Sequence, residues 1–492
     1  MTRTNGIYPF EIEDPDAAPS ARSGLPVVVI GAGPVGLAAA AHLLDRGLEP
    51  LVLEAGSQVG ANIAQWRHVR LFSPWCLALE PVSVRLLDQA GWSGPDPDAL
   101  PRGPDLLERY LEPLAALPAL AGRIRLHTRV VAVAVAVARQ DLDKVRSPGR
   151  DQLPFQVRVR DRDGRLADLQ ARAVIDASGT WTQPNPLGAS GLPALGEPDA
   201  GARITYGLPD IAGHDRDRYA GQRTVVVGAG HSAATSLLAL ADLQHQAPGT
   251  EIVWAVRSAT PRPLVGKGSA QADELPARGQ LATDLAALVD AGRIQLVTGL
   301  RTHTVELADD RVRLVGDQRL GDDIARAHRL VVESDQVIAA TGFRPDHSIA
   351  AELRLALEPA LESPTALGPL IDPNVHTCGS VPAHGMVELA HPDAGYVIVG
   401  MKSYGRAPTF LLATGYGQVR SVVAALAGDQ AAATTPGDQG SPTAALCATN
   451  RDLLATAAAR RRPAPALTGL QIGAAPMGTA ADWSTATCCP TP

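Results

Sequence analysis

The sequence predicts an α/β fold in which one unit of strand, turn, helix and strand occurs twice. Two glycine-rich turns carry this prediction, because residues 31–36 read GAGPVG and residues 228–233 read GAGHSA. Each turn follows a β-branched run and precedes an Ala- and Leu-rich segment, which is the order of a parallel sheet covered by helices. We therefore expect two Rossmann-type dinucleotide-binding domains, with the second inserted into the first.

The first unit spans residues 26–54, from the strand VVVI through the glycine turn to a second strand. Gly31 allows the tight turn, Gly33 lets the backbone approach a pyrophosphate, and Gly36 lets the helix pack closely on the strand. Pro34 lies at the start of the helix, whose free N–H groups and positive dipole end face the phosphates. These four residues are predicted to contact a cofactor.

Glu54 stands at the end of the second strand of this unit. A carboxylate at this position accepts hydrogen bonds from both hydroxyls of an adenosine ribose, and it repels a 2'-phosphate. The first unit is therefore predicted to bind a dinucleotide that carries no 2'-phosphate.

The second unit repeats this order, with a strand at residues 223–227 and another at 251–256. Ala233 replaces the third glycine and loosens the approach of helix to strand. His231 and Ser232 are expected to contact nucleotide phosphate or ribose rather than to act as acid and base. The predicted contacts in this turn are Gly228, Gly230, His231, Ser232 and Ala233.

Arg257 ends the second strand of this unit in place of an acid. A guanidinium there can hold a 2'-phosphate bidentately, which favours NADPH over NADH. Arg262 and Lys267 are candidate helpers. The alternative is that Arg257 is a solvated surface arginine.

The segments between and after the two turns complete the predicted organisation. Residues 103–117 are expected to be helical, and residues 124–137, which include the candidate cofactor contact Val131, and 155–159 are expected to be strands. Residues 173–179 and 337–346 both end buried strands in small residues, which lets a backbone lie against a cofactor and marks crossings between domains. These turns supply the candidates Ala177, Gly179, Thr341 and Gly342.

The chain is then expected to return to its first domain, with a last strand at residues 396–400 and a closing helix at 414–426. From about residue 428 it is rich in Ala, Thr, Pro, Gly and Ser, which is typical of a flexible tail. The predicted division is an extension at 1–24, the first domain at 25–200 and 336–427, the inserted domain at 201–335 and the tail at 428–492.

Composition excludes several classes of function. The net charge of −7 gives no basic surface for nucleic acid. The first 24 residues lack the apolar core of a signal peptide, and the longest apolar run, at 130–138, is far shorter than the roughly 20 residues of a membrane span. We expect a soluble cytoplasmic protein.

The five cysteines show no CxxC, no CxxxxC and no spacing with His that is typical of a metal site. We therefore expect no disulfide framework, no metal and no redox-active cysteine pair beside a flavin. The adjacent Cys488 and Cys489 could bind a soft metal or a thiophilic oxyanion, and the alternative is an incidental feature of the tail.

Three ordered motifs, GAGPVG with Glu54, GAGHSA, and ATGFRPD at residues 340–346, carry a resemblance to a known group. Over about residues 25–427 the chain resembles the flavin-containing monooxygenase and thioredoxin-reductase-like flavoproteins with two dinucleotide-binding domains. The resemblance implies FAD in the first domain, NADPH in the second, and hydride transfer between them. It also implies that residues 66–75 line the isoalloxazine ring, with Trp66 and Arg70 as candidate contacts.

The leading hypothesis from this resemblance is an NADPH-dependent FAD monooxygenase. A flavin C4a-(hydro)peroxide would transfer one atom of molecular oxygen to a small nitrogen or sulfur nucleophile or to a carbonyl. The alternatives are an NAD(P)H-dependent flavin reductase acting on a quinone, a metal or a small disulfide, and a redox sensor without turnover. No catalytic side chain, particular substrate or oligomeric state is indicated by the sequence.

Overall fold

The computed structural model describes residues 22–135, 144–145, 149–259, 275–319, 327–376, 381–408, 410–434 and 442–461. Within these ranges the chain forms strands β1 to β18. Their bounds are β1 Val27–Ile30, β2 Pro50–Leu53, β3 Ile124–Arg125, β4 Arg129–Val135, β5 Phe155–Arg160, β6 Leu166–Ala171, β7 Ala173–Asp176, β8 Ile204–Tyr206, β9 Arg223–Val227, β10 Glu251–Ala255, β11 Gln295–Val297, β12 Leu300–Ala308, β13 Arg311–Gln318, β14 His328–Ser334, β15 Gln336–Ala339, β16 Leu357–Glu358, β17 Ser363–Pro364 and β18 Tyr396–Ile398.

The α-helices of the described ranges cover these sheets. Their bounds are α1 Pro34–Asp45, α2 Ala61–Gln65, α3 Trp75–Ala78, α4 Pro81–Gln89, α5 Gly103–Leu106, α6 Glu112–Ala115, α7 Pro118–Ala121, α8 Arg216–Tyr219, α9 His231–Gln246, α10 Pro276–Asp290, α11 Gly368–Ile371, α12 Met386–Leu389, α13 Leu412–Leu426, α14 Gln430–Thr434 and α15 Pro442–Arg461. A π-helical turn, Leu107–Leu111, joins α5 to α6, so most of the predicted helix at 103–117 is helical.

The first large sheet is parallel, with the strand order β18-β7-β1-β2-β3. Its central strand β1 pairs with β2 on one side and β7 on the other, and all four of its residues are buried. A β-branched run suits this position, because both faces of the sheet are covered. The buried side chains of α1, α4 and α13 pack on this sheet in the largest hydrophobic cluster of the described residues.

The second large sheet is also parallel, with the order β11-β10-β9-β15-β8. Strands β9 and β10 pair in register along their whole length. Strand β15 pairs with both β8 and β9, so it belongs to this sheet. The predicted return to the first domain at residue 336 therefore lies one strand too early. The α/β fold class with two parallel-sheet domains is confirmed.

Two three-stranded antiparallel sheets, β4-β5-β6 and β12-β13-β14, accompany the parallel ones. The predicted strand at 124–137 is divided into β3 and β4 by a turn in which His127 has a φ of 51°. The pairing of β4 with β5 shifts its register between Val130 and Ala132, which leaves Val131 as the extra residue of a bulge.

The two chain segments that follow β7 and β15 run side by side. Pro184 and Phe343 form an antiparallel bridge, and the N–H of Asn185 donates to the carbonyl of Gly342 at 2.9 Å. The ring of Trp181 stacks on that of Phe343 at 4.8 Å. The two segments that are predicted to connect the domains therefore pack against each other.

The predicted flexible tail contains a long helix, which corrects the sequence interpretation. Helix α15 is Ala-rich, and Ala has the highest helix propensity. Its buried residues Cys447, Asn450, Leu454 and Ala457 recur at helical spacing and face the first domain. Residues 462–492 lie outside the described part of the chain. None of the helices in the described ranges has the length and apolarity of a membrane span.

Candidate functional site

The first glycine turn packs closely at two of its glycines and leaves open space at the third. Gly31 has a φ of 97°, and a Cβ on it would lie 2.9 Å from the carbonyl oxygen of Ala177. A Cβ on Gly36 would lie 2.0 Å from the Gly31 oxygen. A Cβ on Gly33, which precedes Pro34 and helix α1, would meet no atom within 4 Å. This turn is a cradle with room for a phosphate at the helix amino terminus.

Glu54 is held at the edge of this cradle by the backbone. The Ala32 N–H donates to its Oε2 at 2.8 Å, and the Gly56 N–H donates to its Oε1 at 2.7 Å. Each oxygen keeps acceptor capacity, because a carboxylate oxygen can accept more than one hydrogen bond. This fixed, half-buried carboxylate fits the hydroxyls of a ribose.

The turn after β7 is fixed by a buried ion pair that the sequence patterns did not indicate. The Lys402 ammonium donates to Asp176 Oδ2 at 2.7 Å and to the Ser178 hydroxyl at 3.2 Å, and Tyr396 donates to the same carboxylate at 2.8 Å. Asp176 and Lys402 are 0% and 1% exposed. Gly179 follows this network with a φ of 72°, and a Cβ on it would meet no atom within 4 Å. Lys402 is therefore a positioning residue for the turn.

The charge state of this pair follows from its surroundings. Burial raises the pKa of Asp176, but the charge and the hydrogen bond of Lys402, with bonds from Ser178 and Tyr396, hold this pKa below its ordinary value. Burial and the Asp176 charge raise the pKa of Tyr396 well above its usual range. Asp176 is therefore ionised and Tyr396 is a neutral donor.

The second glycine turn has the same geometry as the first. Gly228 has a φ of 137°, and a Cβ on it would lie 2.2 Å from the Ala340 oxygen. Gly230 is the N-cap of helix α9, and a Cβ on it would meet no atom within 4 Å. The indole N–H of Trp254 donates to the Gly228 carbonyl at 2.7 Å and fixes the turn. This turn is therefore a second cradle with room for a phosphate at a helix amino terminus.

The residues that follow Gly230 differ in exposure. Ala233 is fully buried in the helix–sheet core, whereas His231 and Ser232 are half-buried in the first turn of α9. The His231 ring lies 5.2 Å from the ring of Phe72, which belongs to the first domain. His231 therefore joins the second cradle to the predicted ring-lining segment.

Arg257 lies two residues past the end of β10 and is exposed. The carboxyl end of a parallel strand is where a Rossmann fold reads the ribose of its nucleotide. The structure brings Arg257 to this edge, and its contact with a nucleotide stays a prediction. The candidate helpers Arg262 and Lys267 lie outside the described residues.

The remaining candidates lie at separate places in the fold. Trp66 is half-buried at the end of α2 and packs on the main core. Arg70 is exposed, and its backbone pairs with that of Arg102 in an isolated antiparallel β-bridge. Val131 is the half-buried bulge residue of β4. Thr341 and Gly342 lie in the crossing segment, where Asn185 contacts the Thr341 carbonyl at 3.2 Å.

Helix α13 closes the first domain against the first cradle, as its predicted position suggests. A Cβ on Gly415 would lie 2.8 Å from Val35, so glycine allows this helix to approach the first turn of α1. The Gln418 side chain accepts a hydrogen bond from the Gly400 N–H at 2.8 Å and donates to Ser403 at 2.8 Å. The amino-terminal turn of α13 is thereby fixed beside the cradle.

A disulfide joins Cys76 to Cys447 across 371 residues, which corrects the expectation of no disulfide. The spacing gave no signal because the fold, not the local sequence, brings α3 against α15. Cys378, Cys488 and Cys489 lie outside the described residues. Among the described residues, no three His, Cys, Asp or Glu side chains form a metal-binding group.

Comparison with known proteins gives a family match in the first domain. Residues 26–93 match the family of FAD dependent oxidoreductases. The 15-cis-phytoene desaturase of Narcissus pseudonarcissus is 43% identical over 51 residues. That match covers 10% of this chain and 9% of the desaturase, so the chain aligns with less than a tenth of this curated relative.

Solved structures match over most of the chain. A bacillithiol disulfide reductase from Bacillus cereus is 20% identical, with a TM-score of 0.58, over 82% of this chain and 99% of that one. A cadaverine monooxygenase from Erwinia amylovora, bound to FAD, is 15% identical, with a TM-score of 0.55, over 82% and 94%. An ornithine N-hydroxylase from Kutzneria sp. 744 is 17% identical, with a TM-score of 0.52, over 82% and 99%.

These likenesses establish the fold of the flavoproteins with two dinucleotide-binding domains, and the resemblance inferred from the three motifs is confirmed. With the family match over residues 26–93, they support an FAD-dependent oxidoreductase.

Proposed function

We propose that this chain is an NADPH-dependent FAD monooxygenase that oxygenates a small nitrogen or sulfur nucleophile or a carbonyl compound. The two cradles fit the two dinucleotides. Gly33, Glu54 and Gly179 would hold FAD, and Gly230 with Arg257 would hold NADPH. Two of the similar structures are of monooxygenases, one bound to FAD and one carrying reduced FAD with NADP+.

The contact between Phe72 and His231 is the observation that carries the proposal. The Phe72 ring of the first domain lies 5.2 Å from the His231 ring of the second cradle, measured between ring centroids. This contact brings the first domain against the second cradle. Trp181, two residues after Gly179, stacks on Phe343 and donates its indole N–H to Gln65 at 2.9 Å. These aromatic rings are large and apolar enough to exclude water from a cleft between the domains, and oxygen transfer requires that exclusion.

The chemistry itself comes from the flavin, which takes a hydride and reacts with molecular oxygen when bound. The chain supplies binding and position. Asp176 and Lys402 fix the turn that ends in Gly179, Glu54 orients the adenosine end, and Phe72 excludes water. No described side chain is assigned as a general acid or base.

A flavin reductase is the second candidate, and the Cys76–Cys447 disulfide favours it. The pair shows that this chain carries oxidised sulfur close to the junction of its two domains. One of the similar structures is of a disulfide reductase. In this case electrons would leave the flavin for a disulfide, a quinone or a metal instead of oxygen.

Oxygen consumption separates the two candidates. In air and without substrate, NADPH oxidation is expected to consume oxygen slowly and release hydrogen peroxide. Phe72→Ala is expected to speed this release on the order of fivefold, roughly 1 kcal/mol of barrier, because water enters the cleft. An oxygen electrode and a peroxide assay measure this rate.

Phe72→Leu is the matched control, because it keeps an apolar side chain, and its rate is expected to stay near that of the wild type. Anaerobic flavin reduction is measured in all three proteins to exclude a change in the reductive step. NADPH oxidation that a quinone accelerates without oxygen uptake would overturn the monooxygenase in favour of the reductase.

Arg257→Ala is expected to narrow the preference for NADPH over NADH. A bidentate, charge-assisted contact with the 2'-phosphate contributes on the order of 1.5–3 kcal/mol, so NADPH affinity should fall about 10- to 150-fold while NADH affinity stays unchanged. Anaerobic titration of flavin reduction with each nucleotide measures both. Arg216→Ala, at a half-buried arginine of the same domain whose side chain is 39% exposed, is the control. Equal use of both nucleotides by the wild type would remove the assignment.

A further inference from the structure

The Cys76–Cys447 disulfide is enclosed by the protein. Cys76 is 0% exposed and Cys447 is 9% exposed. The Asn450 side chain, one turn further along α15, donates to the carbonyls of Cys76 and Leu79 at 2.8 and 2.9 Å. The sulfur pair is therefore held in place and has little access to thiols in solution.

The pair also packs against side chains of both domains. Its apolar cluster contains Leu275, which precedes α10 of the second domain, with Phe72 and Leu411 packed against it. Phe72 contacts His231, in the second glycine turn, at 5.2 Å between ring centroids. Leu411 caps α13, one turn before the contact with the first glycine turn. The disulfide is therefore connected to the second cradle through the side chain of Phe72, and to the first through Leu411 and the first turn of α13.

We propose that Cys76 and Cys447 form a redox-active pair that accepts two electrons from the reduced flavin. The S–S bond breaks, two S–H bonds form, and the flavin returns to its oxidised state. Overall, NADPH, one proton and the disulfide become NADP+ and two thiols. The proposal rests on the NADPH-to-flavin half of the proposed function.

The position of the pair gives this step a structural consequence. Reduction removes the covalent link between α3 and α15. The helix is then held by the Asn450 hydrogen bonds, by its buried residue Leu454 and by the ion pairs of Arg451, Arg460 and Arg461 with Asp98 and Asp88. Phe72 packs on the same cluster. The redox state of the flavin is thereby communicated to the cleft wall and to the carboxyl-terminal helix.

Anaerobic titration with NADPH tests the proposal by counting electrons. The wild type is expected to take up twice as many electrons as its flavin alone accepts. The reduced protein is then unfolded without oxygen, and alkylation with N-ethylmaleimide followed by peptide mass mapping should find labelled Cys76 and Cys447, which are cross-linked before the titration. Flavin-free protein given the same NADPH should stay cross-linked, which excludes direct reduction.

Two variants assign the additional electrons. C447S should take up only the electrons of the flavin, and the double variant C488S/C489S should retain the additional two. If the additional electrons persist in C447S and disappear in the double variant, the tail cysteines are the acceptor and the proposal is overturned.

The wild-type result alone decides the question if C447S does not fold. A fully reduced flavin beside an intact Cys76–Cys447 cross-link overturns this proposal and leaves the proposed function standing. If NADPH does not reduce the flavin, the proposed function fails, and the same titration with dithionite, compared with flavin-free protein, decides whether the disulfide accepts flavin electrons.

Discussion

Lys402→Met is expected to lower the free energy of unfolding by about 3–5 kcal/mol, because it leaves the buried carboxylate of Asp176 without its cation. The pair is enclosed, with side chains 2% and 0% exposed and an Nζ to Oδ2 distance of 2.7 Å. Tyr396 and Ser178 still donate to the carboxylate but carry no charge. Because the turn before Gly179 loses its fixed position, FAD retention should fall as well.

The loss should depend on pH in a direction that follows from Asp176. In the wild type, Lys402 holds the pKa of Asp176 below its ordinary value, so the stability it contributes is present above the unfolded pKa and is lost as pH falls through the folded one. Without Lys402, burial raises this pKa, and the variant loses stability as pH rises. The difference between the two proteins should therefore be large near pH 7 and smaller near about pH 4–5.

Urea unfolding followed by circular dichroism and flavin release measures this difference. Lys144→Met is the control, since Lys144 makes a hydrogen bond to the Ala351 carbonyl at the surface, and its effect should stay below about 1 kcal/mol. The double variant Lys402→Met/Asp176→Asn should recover part of the loss, because it removes the uncompensated charge. A single variant as stable as the wild type at both pH values would show that the pair contributes nothing.

The cradles could be predicted from the sequence because they are local. Each needs a glycine at a strained or crowded position, a strand before it and a helix after it, and all of these lie within about 30 residues. Gly31 and Gly228 have positive φ values and touch the backbone of Ala177 and Ala340, the two predicted small-residue turns. The same reasoning located Glu54 at the edge of the first cradle.

The features that escaped prediction join residues distant in the chain. Lys402 reaches Asp176 across 226 residues, and no local motif connects the two. Cys76 reaches Cys447 across 371 residues. Helix α15 is not predicted, because the composition of a segment does not show whether its apolar residues recur at helical spacing. The sequence places strand β15 in the first domain instead of the second, because a buried apolar run does not show which sheet it joins.

Glu54→Ala is expected to weaken FAD retention by about 2–4 kcal/mol, which is roughly 30- to 700-fold in the dissociation constant. The substitution removes the carboxylate that we propose accepts hydrogen bonds from two ribose hydroxyls. It also leaves the N–H groups of Ala32 and Gly56 without the carboxylate that now accepts from them at 2.8 and 2.7 Å. The wild type should release FAD rather than FMN on denaturation, because FMN has no adenosine for this carboxylate to bind.

Ultrafiltration after dilution, with flavin fluorescence in the filtrate, measures the loss. Glu54→Gln should give an intermediate value, since its amide keeps the shape and one acceptor oxygen but not the charge. Glu49→Ala removes a nearby acid that pairs with Arg123 at the surface, and it should retain FAD as the wild type does. Full FAD occupancy in Glu54→Ala under dilution would mean that the backbone N–H groups alone orient the adenosine, and that the end of β2 does not read the ribose.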